Sequence, residues 1–101
     1  MNGIRFEWDE AKNRANIAKH GISFDEASQV FADPHHVSVP ERIEDREQRW
    51  QTFGIVKGQL LLMAGHTIRE EIGDRVIEVI RIITARKATK HERRRYEEEN
   101  R

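Results

Sequence analysis

A chain of 101 residues has room for one domain with a modest core, so residues 1–101 read as a single unit. Charged residues make up 36% against 37% hydrophobic, and cysteine is absent, which excludes disulfides and thiolate metal sites and favours a cytoplasmic setting. No apolar run reaches the roughly 18 residues of a membrane span, and the N-terminus MNGIRFEWDEAKN lacks the apolar stretch of a signal peptide.

Residues 4–8, IRFEW, alternate apolar and polar and predict a short strand. Asp9 is placed to N-cap a helix from Ala11 to His20, and Gly21 fits its left-handed C-cap. Ser23 and Glu26 form the S-x-x-E pattern that opens a second helix, which Asp33-Pro34 ends. His35 to Val39 reads as a short strand closed by Pro40, and Glu41 to Glu47 as a charged loop. Three longer strands follow, Arg49 to Val56, Leu60 to Arg69 and Arg75 to Ala85, separated by turns at Lys57-Gly58 and Glu70 to Asp74. Their short connections imply antiparallel pairing. Thr89 with Glu92 predicts the cap of a last helix to about Glu99. The fold class is α+β, with N-terminal helices and a C-terminal helix packed on an antiparallel sheet.

The net charge of zero hides an asymmetry. Asp25 to Gln48 holds seven acidic residues against Arg42 and Arg46, whereas Arg81 to Arg101 holds eight basic residues against four glutamates. A basic face suited to a phosphate backbone is therefore compatible with a neutral chain. Arg81 lies inside the apolar strand VIRII, and a guanidinium there needs either an acidic partner, such as Glu47 or Glu78, or an anion to bind. Arg86, Lys87 and Lys90 cluster where that strand meets the last helix, either as a phosphate-binding group or as a solubilising charge run. His66 is a candidate general acid or base near neutral pH, with a hydrogen-bonded sheet histidine as the alternative. His35-His36 point apart in a strand, so no metal site is expected from them.

Two blocks carry a resemblance to a known family. Phe6 to Asp33, FEWDEAKNRANIAKHGISFDEASQVFAD, and Arg81 to Glu98, RIITARKATKHERRRYEE, are similar to the BrnT family of ribonuclease toxins from type II toxin–antitoxin systems. The shorter segments EQRW at Glu47 to Trp50 and HTIR at His66 to Arg69 are similar too. Thr84 stands where the family commonly has Ser, and Glu41-Arg42-Ile43-Glu44 where many relatives carry a His-Ser pair. Glu70 to Val79 looks longer than usual, which implies an extended hairpin.

The resemblance implies a RelE-like fold, metal-free RNA cleavage by 2′-hydroxyl attack, inhibition of translation, and neutralisation by a BrnA-type antitoxin. The RNA substrate would be mRNA, and DNA would be met only through the antitoxin. No cofactor and no membrane partner are implied. Arg69, Arg81 and Arg86 would hold the scissile phosphate and stabilise its added charge. His66 would move a proton, with Glu47 as a competing base. Lys12, Lys19, His20, Lys87 and Lys90 would contact flanking phosphates. The rival reading is a non-catalytic module that binds an antitoxin and helps repress its own operon. A general RNA- or ribosome-binding domain should carry more exposed aromatics than this chain's seven afford.

Overall fold

The computed structural model describes residues 3–101. In chain order these form β1 (Gly3–Glu7), α1 (Glu10–His20), α2 (Phe24–Ser28), a 3-10 turn (Gln29–Ala32), β2 (Val37–Glu44), β3 (Glu47–Val56), β4 (Leu60–Ile72), β5 (Val76–Lys87) and α3 (Lys90–Glu99). The sheet order is β1-β5-β4-β3-β2.

Helix ends follow the sequence signals. Asp9 accepts from the Lys12 N–H at 3.1 Å, and Ser23 from the Glu26 N–H at 3.0 Å. Thr89 and Glu92 complete a reciprocal capping box. Gly21 closes α1 at φ 72°, with Lys19 and His20 in the last turn.

The strands depart from expectation in three places. Residues 41–47 are not a loop: β2 runs on through Pro40 to Glu44 and turns at Asp45 and Arg46, whose φ values are 52° and 65°. Pro40 is tolerated because β2 is the sheet's edge, and a register shift between Pro40 and Ile43 absorbs the irregularity. β4–β5 pairing runs into the expected Glu70 to Asp74 turn, out to Ile72 and Val76, which is the extended hairpin that the segment's length implies. Finally, the sheet is mostly rather than wholly antiparallel, because β1 pairs in parallel with β5. The helices of residues 10–28 carry the chain from β1 to β2 at the opposite edge, and three antiparallel steps bring β5 back beside β1.

The two faces of the sheet are covered unequally. On one face α1, α2 and the 3-10 turn bury Phe24, Val30, Leu62, Ile80 and Ile82. Truncating one of these, such as Ile80, is worth about 2–5 kcal/mol. On the opposite face α3 covers only one end, where Tyr96 and Ala88 pack on Phe53, Leu61 and Met63. The rest of that face is open.

Two asparagines fasten α1 in place. Asn13 Oδ1 accepts from the Phe24 N–H at 2.8 Å, fixing the turn between the helices. The Asn16 amide donates to the Ala85 carbonyl at 2.9 Å and accepts from the Ala85 N–H at 3.1 Å, as a neighbouring strand would. It also donates to the Ile22 carbonyl. A short edge of β5 is thereby satisfied by one side chain.

Candidate nucleic-acid interface

The open face carries a chain of ion pairs across β1, β5 and β4. Arg5 donates to Glu71, Arg69 donates to both Glu71 and Glu7, and Arg81 donates to Glu7. The Arg69–Glu7 contact is bidentate, at 2.8 and 3.0 Å. Hydrogen bonds from Arg69, and then from Arg81 against some desolvation, hold the Glu7 carboxyl down to about 2. Arg81 is not a buried charge, since its side chain is 41% exposed. Its partner is Glu7 rather than Glu47 or Glu78, because the parallel register sets Glu7 directly beside it.

Arg86 stands further along β5, opposite Met63. It makes a bidentate pair with Glu92, at 2.8 and 3.0 Å, so the acid that caps α3 also ties the helix to the sheet. That hydrogen bonding holds Glu92 below and Arg86 above their ordinary values. Each of the three arginines singled out in the sequence thus has a carboxylate partner.

A different arrangement occurs between Arg81 and Arg86. The β4–β5 register shifts there, pairing Gly65 with Thr84 but His66 with Ile82, so that Ile83 is extra. Glycine at position 65 lets the two strands close without moving Thr84, whose Cγ2 a Cβ there would meet at 2.6 Å. Two hollows meet at this bulge and share Ile83 and Thr84. One extends to Arg42, Arg49 and Trp50 beside Gly65 and His66. The other extends to Lys12, Asn16, Lys19 and His20 of α1. Lys12, Lys19, His20 and Arg49 appear in none of the ion pairs among the described residues, and Arg49 Nε is buried without a hydrogen-bond partner. The cleft therefore gathers Lys12, Lys19, His20 and Arg49 without ion-pair partners among the described residues, beside Arg42, which Glu41 and Glu44 compensate.

The remaining sequence candidates fall outside or behind this cleft. His66 is 1% exposed, with Nε2 2.7 Å from Thr52 Oγ1, Nδ1 3.3 Å from the Thr67 carbonyl oxygen, and the Phe31 ring edge-on at 5.0 Å. Burial pushes its pKa down to about 4, so the ring is neutral near pH 7. This environment is that of a hydrogen-bonded sheet histidine. Glu47 is exposed at the start of β3, and Lys87 and Lys90 are exposed at the β5–α3 junction. No group of three or more His, Asp or Glu side chains able to hold a metal occurs among the described residues, and none of their helices is long and apolar enough to cross a membrane.

Arg49, Asn16, Gly65 and Glu7 were not assigned roles from sequence. Arg49 sits within the family-like EQRW, Asn16 and Glu7 within the first family-like block, so motif position was the available signal.

A small α+β domain that collects unpaired cations around a hydroxyl at a sheet bulge offers a surface that attracts anions electrostatically. The family model described as "Ribonuclease toxin, BrnT, of type II toxin-antitoxin system" matches residues 8–92, and the chain belongs to that family. Among solved structures, the chain is similar in fold to the crystal structure of the Brucella abortus ribonuclease toxin BrnT. The TM-score is 0.59 at 24% identity, over 89% of this chain and 99% of that one. No curated protein sequence matches it.

Proposed function

We propose that this protein is an endoribonuclease toxin that cleaves RNA in the cytoplasm at the Thr84 bulge, without a metal, and so inhibits translation. The observation that carries the reading is the cleft in which Lys12, Lys19, His20 and Arg49 converge with no carboxylate bound to them. RNA threads the cleft with its phosphates on these cations. The 2′-hydroxyl attacks the adjacent phosphate, which gains negative charge in the transition state. Arg81 and Arg86, on either side of the bulge, stabilise that charge by exchanging a carboxylate oxygen for a phosphate oxygen. Arg69 serves one step back, fixing Glu7 and through it Arg81. His20 is the imidazole with access to the cleft and carries the proton, whereas His66 supports the floor. Glu47 is the competing base, and Lys87 and Lys90 guide the strand leaving past α3. A BrnA-type antitoxin would neutralise the cleft, and kinship with RelE-like toxins would follow from the shared mechanism.

The test is cleavage of RNA by the purified protein in excess EDTA. Products ending in 2′,3′-cyclic phosphate support the reading. A well-folded protein that leaves RNA intact, with and without ribosomes, contradicts it. In that case the full pairing of Arg69, Arg81 and Arg86 with glutamates would favour a non-catalytic module that binds an antitoxin.

A further inference from the structure

A second hollow lies on the same open face, between β2, β3 and α3. Its volume is about 130 Å³, smaller than a drug-sized site and suited to one small ring system. Val37, Val39 and Phe53 form its apolar walls, and Tyr96 closes it from α3. Gln51, His91, Glu92 and Arg95 stand around it.

Two contacts join this hollow to the cation-lined cleft. Gln51 donates through Nε2 to Glu41 Oε1 at 3.2 Å, and Glu41 lines the cleft. Glu92 also holds Arg86, which stands on β5 just beyond the bulge. Gln51 pairs with Gly65 and Gly65 with Thr84, so the hollow begins two strands, about 10 Å, from the bulge.

We propose that the hollow is a nucleobase subsite, which takes one base of the RNA next to the cleaved phosphate. The inference rests on the RNA-cleavage reading and adds a base contact to it. Flat aromatic walls and the Arg95 guanidinium offer stacking surfaces to a base. The rim supplies hydrogen bonds in both directions. Because a carboxylate only accepts, Glu41 fixes the Gln51 amide group toward itself and leaves the Gln51 carbonyl to accept from the ligand. Arg95, which makes no ion pair among the described residues, is free to donate to a base carbonyl. A phosphate does not fit apolar walls beside Glu92. An aliphatic side chain from a protein partner would cover the Gln51 carbonyl and give it nothing in return. The ligand is therefore a ring with a polar edge, and cytosine through its exocyclic amine and uracil through its N3–H can each donate to the Gln51 carbonyl.

The experiment is an NMR titration of the whole protein with 2′-O-methyl trinucleotides, CCC and UUU, which bind but lack the attacking hydroxyl. CCC should shift Val37, Val39 and Tyr96 together with Thr84 and Lys19. UUU should shift the same residues, and Gln51→Leu should weaken both probes about fivefold, the size of one net hydrogen bond. Shifts confined to the cleft for both probes, with natural RNA still cleaved, overturn the subsite and leave the cleavage reading standing. No shift anywhere, with no cleavage, overturns both. A BrnA-type antitoxin that shifts Val37 and Val39 when neither trinucleotide does would assign the hollow to the protein partner and also overturn the subsite.

Discussion

On the open half of the sheet, Arg5, Arg69 and Arg81 alternate with Glu71 and Glu7, and every guanidinium has a carboxylate. At the β5 bulge, Lys12, Lys19, His20 and Arg49 have none among the described residues. Both regions are rich in cations, yet the three guanidiniums of the first are all engaged by its two carboxylates, whereas the four cations of the second are unengaged among the described residues. A count of basic residues does not distinguish them. The paired lattice staples β1 to β5 and β4 and fixes its arginines in one geometry, while the bulge supplies the attraction. Arg81 belongs to both, since it is held by Glu7 and lies within two residues of Ile83.

This contrast is open to mutation. Arg81→Ala should lower the cleavage rate about 10²–10³-fold, as expected for loss of a group that meets developing charge. Circular dichroism should remain native, because the side chain is partly exposed and Glu7 keeps its bidentate pair with Arg69. Asn16→Ala should cost about 3 kcal/mol in urea denaturation. It strips the Ala85 N–H, the Ala85 carbonyl and the Ile22 carbonyl of their partner in a buried setting. The cleft should loosen with it, so activity and stability fall together there.

Acid should act on the two regions in separate windows. The His66 pKa is depressed, so below about pH 6.5 the unfolded chain takes up a proton that the folded chain refuses until about pH 4. Stability is thus intact above pH 6.5 and declines by up to about 3 kcal/mol as the pH falls to 4. His66→Phe should flatten that slope, measured as denaturation midpoint against pH. The Glu7 carboxyl is depressed too, so its contribution is present above pH 4.5 and is lost as the pH falls toward 2. His66→Phe should leave this lower window unchanged. The smallest effect is expected at the outer end of the lattice. Arg5→Ala should change stability by no more than about 1 kcal/mol and leave cleavage unaltered, because its pair with Glu71 is exposed.

Local signals were readable along the chain. Asp9, Gly21, Ser23 and the Thr89–Glu92 box mark helix ends through bonds between near neighbours, and those bonds form. The β3, β4 and β5 runs declare themselves by continuous apolar residues. Contacts set by topology were not readable. Glu7 and Arg81 are 74 residues apart and meet only because β1 pairs in parallel. Pro40 argued for a strand end, and an edge position removed that cost. The bulge at Ile83 sets Thr84 across from Gly65, which no periodicity reveals. The Arg81 puzzle illustrates both sides: its apolar neighbours imply burial, but α3 is too short to cover the whole face.

The most direct measurement is RNA cleavage in excess EDTA by wild type, Arg49→Ala and Arg5→Ala side by side. Uncompensated charge at the bulge as the basis of activity predicts cyclic-phosphate products from wild type and Arg5→Ala, and a loss of at least about tenfold for Arg49→Ala with its fold intact. Equal cleavage by wild type and Arg49→Ala, with Arg5→Ala inactive, would place the active surface on the paired lattice and contradict the account.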